Sequence, residues 1–310
     1  MTNNPLAFVF PGQGSQTVGM LSELASAYPL IEETFAEASQ ALGYDLWQVT
    51  QQGPAEKLNQ TEITQPALLA ASVALWRLWE KEGGARPQLM AGHSVGEYAA
   101  LVCAEALELS AAIRLVAERG RLMQESVPHG FGAMAAIVGL EDSVLQELCE
   151  SLAQGQILSP ANYNSIGQTV VAGNSEAIDR LVAKAKQEGA KIAKRIPVSV
   201  PSHCALMKPA AEHLADYLNT VSFLAPQIPI INNVDVKIEE TSAAIKDALV
   251  RQLFSPVRWV ETIQYFEKQG IQEIIECGPG KVLAGLNKRI ADIPTVSIHN
   301  LETFKSSLAA

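Results

Sequence analysis

The sequence predicts an α/β protein with a doubly wound parallel-sheet core and an inserted βαββαβ unit. Two observations lead there. An apolar run that ends in a glycine turn and continues into a helix occurs at LAFVFPGQG, again at PQLMAGHSVG, and again at IQEIIECGPG. Strands of that kind, apolar without alternation, suit a parallel sheet covered on both faces. The stretch from about Val127 to Val200 differs, because strand-like and helix-like segments there follow a different order.

Taken in order, LAFVF is the first strand, PGQGSQ its turn, and an amphipathic helix follows. ITQPALLAASVALWRLWEKEGG reads as a helix with Pro66 in its first turn, where the missing N–H costs nothing. PQLMAGHS is the second strand, and SAAIRLVAERGRLMQESV a later helix. GAMAAIVGL then reads as a strand and EDSVLQELCESLAQ as a helix. GQILSPANYN and QTVVAGN read as two strands, and SEAIDRLVAKAKQEG as a helix with Ser175 near its start and Gly189 just past its end. KIAKRIPVSV is the final strand of this unit. The order is that of a ferredoxin-like fold. The expected division is therefore a discontinuous core, 1–126 and 201–310, with a ferredoxin-like insertion over 127–200. The three glycine turns all fall at carboxyl ends of strands, where open α/β sheets bind their ligands.

Bulk properties narrow the function. Of the 310 residues 48% are hydrophobic and 18% charged, so a large core can be buried. The formal net charge is −10, and no long Lys/Arg run is present, which argues against a nucleic-acid binder. Cys103, Cys149, Cys204 and Cys277 lie apart in apolar stretches, without metal-ligand spacing. They read as buried thiols of a reducing compartment. The N-terminus lacks a positively charged signal region, and no run approaches the ~18 apolar residues of a membrane span. The expectation is a soluble cytoplasmic protein with no metal and no membrane association.

Gly92-His93-Ser94-Val95-Gly96 fits G-x-S-x-G between a strand and a helix. In such an elbow a tight bend lifts the serine hydroxyl out of the sheet, and flanking glycines avoid clashes. The helix N-terminus behind it favours negative charge, as on a tetrahedral intermediate. Ser94 with Glu97 also fits the S-x-x-E capping box, which would make the serine a plain cap.

A nucleophilic serine needs a base. His93 adjoins Ser94, but a sharp turn directs its side chain away. His129 sits in the loop VPHGFG, His213 within an amphipathic helix, and His299 near the C-terminus. His203, in VSVPSHCALM, falls where a β-rich run ends and a helix begins, although a first-turn histidine is also an ordinary structural feature. A hydrolase triad requires an acid between the serine and the histidine. The acids in that interval fall mainly on helices of the inserted unit, for example Asp142 and Asp179, and none sits at a clear strand end. A backbone carbonyl can serve instead, since the task is to fix one tautomer.

On a wheel of ~100° per residue, Arg114, Glu118, Arg121 and Glu125 form a solvated charge ladder. Leu115, Val116, Leu122 and Met123 form the opposite stripe, and Arg119 lies in the middle of it. A buried guanidinium needs an anionic partner. That partner is either a core carboxylate or a group on the substrate, which the planar fork would grip through two hydrogen bonds. A nucleophilic serine and such an arginine suggest an acyl group with a free carboxylate at its far end.

Gln13 lies in the first glycine turn, which matches neither the P-loop nor the dinucleotide pattern. Its backbone N–H, or that of Val95, is placed to form an oxyanion hole. Gln65, just before Pro66, is a candidate to face the site. Gln252, in ALVRQLFSPVRW, is a glutamine in apolar surroundings that needs a hydrogen-bond partner, with His203 or its neighbours as candidates.

FVFPGQGSQ, GHSVGE, ERG, VPSH and GPGKVL occur in this order over nearly the whole chain. In this set and order the sequence resembles the malonyl-CoA:acyl carrier protein transacylases of bacterial type II fatty acid synthesis. The resemblance implies an α/β-hydrolase-like core with a ferredoxin-like insertion. It implies Ser94 as the nucleophile, His203 as its base and Arg119 as the clamp on the malonyl carboxylate. It further implies Gln13 and Val95 N–H groups in the oxyanion hole, and Gln252 as the carbonyl that orients the histidine. Gln65 and His93 would support the site. Malonyl-CoA and a phosphopantetheinylated acyl carrier protein would be the substrates, without a separate cofactor. A monomer is the default expectation for the chain. Two other functions share parts of this pattern: a serine thioesterase or esterase, and a non-catalytic carrier-protein docking module.

Overall fold

The computed structural model describes residues 5–198 and 200–309. Its strands are β1 Leu6–Phe10, β2 Leu89–Gly92, β3 Gly132–Val138, β4 Leu158–Ser165, β5 Gln168–Asn174, β6 Ile192–Arg195, β7 Ile230–Ile231, β8 Glu273–Glu276 and β9 Thr295–Ser297. Five of them form a parallel sheet in the order β7-β2-β1-β8-β9. The central strand, β1, is buried throughout. Phe8 packs edge-on against Trp76 and Trp79 in one helical layer, with ring centroids 5.2 and 5.4 Å apart. Ala7 and Val9 point the other way, into a cluster with Trp259, Ile263 and Phe266. Helices on both faces explain why LAFVF carries no polar alternation.

The other four strands form an antiparallel sheet in the order β4-β5-β3-β6. With the helices Asp142–Leu152 and Ser175–Gln187 this is a ferredoxin-like unit. β6 is shorter than the run KIAKRIPVSV suggests. It stops at Arg195, although Ile196 still donates to Met134 O, because Pro197 has no N–H to continue the ladder. β7 and β9 escape a sequence reading because they have only two and three residues. Val257, from the core, pairs with β4 on its outer edge: it donates to Ala161 O at 2.9 Å and accepts from Tyr163 N at 3.0 Å. This pairing covers a sheet edge and holds Asn162 and Asn164 over the end of β2.

The bend after β2 is packed too tightly for side chains. A Cβ on Gly92 would lie 1.9 Å from the Gly96 carbonyl carbon, and one on Gly96 would lie 2.1 Å from Phe10 O. Backbone cannot yield there as a flexible side chain could. Gly92→Ala is therefore expected to destabilise the protein by about 3 kcal/mol or more. Thermal unfolding checks this; an unchanged midpoint would mean that the bend does not depend on this contact.

Candidate active site

Ser94 sits between β2 and the helix Gly96–Cys103 with φ 52°, in the left-handed region that a serine rarely adopts. Three bonds hold it there. Its N–H donates to Asn233 Oδ1 at 2.8 Å, and its carbonyl accepts from Glu97 N at 3.0 Å and from Gln252 Nε2 at 3.2 Å. Asn233 also donates from Nδ2 to Gly92 O at 2.6 Å, so one buried amide spans the bend. The capping-box reading fails. The helix has no side-chain cap, and Glu97 turns inward to accept from Asn233 N at 3.0 Å.

His203 Nε2 lies 2.8 Å from Ser94 Oγ, and Nδ1 lies 2.7 Å from Gln252 O. A carbonyl can only accept, so Nδ1 carries the proton and Nε2 accepts from the serine hydroxyl. Gln252 ends the helix Ser242–Gln252, where the last carbonyls lack an intrahelical donor. That carbonyl is thus free for an imidazole. Burial, with the Arg119 charge beside it, pushes His203 down to about 3, so the ring is neutral near pH 7.

Arg119 is 1% exposed, within the helix Leu109–Glu125. Its Nη1 donates to Gln65 Oε1 at 2.8 Å; its Nη2 donates to Gln252 Oε1 at 2.9 Å and to Ser94 Oγ at 3.2 Å. Cζ stands 5.5 Å from the centre of the Tyr98 ring. Among the described residues no carboxylate bonds to this guanidinium, and its acceptors are neutral. On the far face of the same helix Arg121 pairs with Glu118 and Glu125 at 2.6 and 2.5 Å, exposed to solvent.

A cleft of about 170 Å³ opens between the two sheets. Gln13, His93, Ser94 and His203 line it from one side, and Met134, Asn162, Asn164 and Val170 from the other. His93 turns away from the serine and bonds Asn164 Oδ1 through Nε2 at 2.8 Å, a contact across the cleft. Gln13 reaches Thr61 Oγ1 at 3.4 Å with its amide. Gln65 is fully buried and meets the site through Arg119 alone of these residues. Val95 opens the helix behind Ser94, with its N–H at the first turn. The structure thus brings Ser94, His203, Arg119, Gln252 and Gln65 into one bonded group, with Gln13, Val95 and His93 around it. Of the basic side chains of the small sheet, Arg195 is held by both oxygens of Asp179 at 2.7 Å.

Sequence reasoning missed Glu97 and Asn233. Glu97 was legible only as half of a cap, and Asn233 stands in a loop after a two-residue strand. Burial raises Glu97 to about 7, against the lowering effect of its bonds from Gln252 and Asn233.

A serine held by histidine, a carbonyl in place of an acid, and a buried arginine fit acyl transfer. The acyl transferase domain model matches residues 7–292. Over 294 residues the chain is 60% identical to the malonyl CoA-acyl carrier protein transacylase of Escherichia coli (strain K12), covering 95% of each chain. The chain belongs to the malonyl CoA-acyl carrier protein transacylase family. The Bacillus subtilis (strain 168) transacylase is 40% identical over 305 residues, covering 98% of this chain and 96% of its own. Among solved transacylases, that from Coxiella burnetii matches with a TM-score of 0.98 at 54% identity, covering 99% of this chain and 97% of its own. A malonyl-transacylase solved in complex with its type II PKS acyl-carrier protein matches with a TM-score of 0.97 at 55% identity, covering 98% and 99%.

Proposed function

We propose that this acyltransferase moves a malonyl group from malonyl-CoA to the phosphopantetheine thiol of acyl carrier protein, through an ester on Ser94. The observation that carries this reading is a buried guanidinium, bonded to neutral groups only, 3.2 Å from the hydroxyl that His203 holds. An arginine so placed can bind a carboxylate on the acyl group while the serine attacks the other end.

In the first half-reaction Ser94 Oγ attacks the thioester carbonyl and gives its proton to His203 Nε2. The carbonyl oxygen becomes an oxyanion, which accepts from the Gln13 and Val95 N–H groups. The intermediate collapses, the C–S bond breaks, and His203 returns the proton to the CoA sulfur. In the second, the carrier thiol loses its proton to His203 and attacks the ester, and Ser94 leaves reprotonated. Throughout, Nδ1–H stays on Gln252 O, which fixes the tautomer without an acid.

The charge on Arg119 helps to hold His203 low. A substrate carboxylate on Arg119 offsets that charge, so the imidazole becomes more basic in the complex. The acid limb of the acylation rate at saturating malonyl-CoA should therefore lie at higher pH than the acid limb of kcat/KM, which reports the free enzyme. Stopped-flow acylation over a pH series checks this. Coincident limbs would show that the substrate carboxylate does not meet Arg119.

In this reading the enzyme works as a cytoplasmic monomer without a cofactor. Four buried free cysteines support a reducing compartment. Among the described residues no helix is long and apolar enough to cross a membrane. Intact mass after mixing with malonyl-CoA tests the function: the protein should gain one malonyl group, mapped to Ser94, and lose it on addition of the holo carrier protein. No adduct would leave a docking module. An adduct lost to water as fast as to the carrier would make the protein a thioesterase.

A further inference from the structure

Glu97 carries a carboxyl group that the reaction as derived above does not use, although it is 4% exposed and bonded to Gln252 behind the cleft. Its Oε2 accepts from Gln252 Nε2 at 2.8 Å and from Asn233 N at 3.0 Å. The second hydrogen of Gln252 Nε2 goes to Ser94 O, and Gln252 Oε1 accepts from Arg119 Nη2. The chain of contacts runs Glu97, Gln252, Arg119, Ser94, and all but the serine are buried.

We infer that Glu97 is a positioning residue for malonyl recognition: through the Gln252 amide it holds the Arg119 fork toward Ser94 while leaving it unneutralised. The inference rests on the function proposed above. An amide can sit in either of two orientations, and its surroundings must choose. Glu97 Oε2 takes two N–H donors, so it presents an acceptor to Gln252, and any proton on this carboxyl sits on Oε1. Only one orientation of the Gln252 amide then works. The NH₂ faces Glu97 and Ser94 O, and the carbonyl faces the guanidinium. The flipped amide would set oxygen against two oxygens and NH₂ against the guanidinium. The same spacer keeps the acid one amide away from Arg119. A carboxylate in direct contact would close the fork to the substrate, because a buried guanidinium paired by an internal acid has little to gain from a second one. The backbone carbonyl of Gln252 is bound to His203, so the glutamine cannot drift without disturbing the base as well.

The test compares malonyl and acetyl transfer in three variants. Glu97→Met keeps the volume and removes the acceptor. It should lower the malonyl-to-acetyl ratio by about tenfold, as for one lost hydrogen bond, with the change in KM for malonyl-CoA. Glu97→Gln keeps a carbonyl oxygen where Oε2 stands and should restore the ratio to near that of the parent. Gln252→Leu cuts the same relay but keeps the backbone carbonyl used by His203. It should reproduce the loss of ratio, also where Glu97→Met fails to fold. Equal losses for both acyl groups in Glu97→Met and Gln252→Leu would make Glu97 structural and overturn the inference. So would Glu97→Gln as impaired as Glu97→Met, since charge rather than position would then matter. A parent protein with no malonyl preference would instead overturn the function itself, and the two failures are separable.

Discussion

Ser94→Ala should leave no covalent malonyl adduct and should lower transfer by about 10⁴-fold or more, in line with the loss of a nucleophile in other serine enzymes. The variant removes only Oγ. The bonds that hold position 94 in its left-handed conformation come from its backbone: N–H to Asn233, and the carbonyl with Glu97 N and Gln252 Nε2. Alanine keeps all three, so the unfolding midpoint should stay close to that of the parent. His203 Nε2 and Arg119 Nη2 lose a partner at the edge of the cleft, where water can take its place. Intact mass, thermal unfolding and a transfer assay together check the prediction. An adduct of normal yield in the alanine variant would put the nucleophile elsewhere and remove the elbow from the mechanism.

Arg119→Ala should cost malonyl transfer about 10³-fold and acetyl transfer far less. Two hydrogen bonds from a guanidinium to a carboxylate are worth about 4 kcal/mol together at ~2 kcal/mol each, and each 1.36 kcal/mol is tenfold in rate. Acetyl has no carboxylate to lose. The substitution also leaves Gln65 Oε1 and Gln252 Oε1 without their donor, which lowers stability. The ratio between the two acyl groups cancels that shared loss. Arg119→Lys keeps the charge but not the fork, and should fall between parent and alanine. Equal losses for malonyl and acetyl would show that Arg119 only braces the core, and the case for a dicarboxylic acyl group would fail with it.

Much of this site was readable before the fold was known, because it uses features that leave local traces. The elbow needs glycines on both sides of a serine, and the spacing shows. An arginine among Leu115, Val116, Leu122 and Met123 breaks the helix periodicity, and the wheel shows it. The missing acid was informative as well, since it left a carbonyl as the partner of His203. What stayed hidden depends on distant parts of the chain. Asn233 is 139 residues from Ser94 and Gln252 is 155 from Glu97. Nothing near either asparagine or glutamate says that they meet. The local reading of Glu97 as a cap was reasonable and wrong, since Asn233 and Gln252 offered its carboxylate better donors inside the core.

Periodicity, glycine spacing and one misplaced charge were thus enough to give the α/β class, the ferredoxin-like insertion, and an acyl group bearing a carboxylate as the expected cargo. Those follow from backbone sterics and from the cost of burying a charge, which act over a few residues. The tertiary structure alone decided that the arginine meets two amides and a hydroxyl instead of an acid. It also decided that Glu97 stands behind one of those amides. Side chains of neighbouring elements converge there only after the helices have packed on the sheet, and their orientation is chosen by donors and acceptors brought from far along the chain.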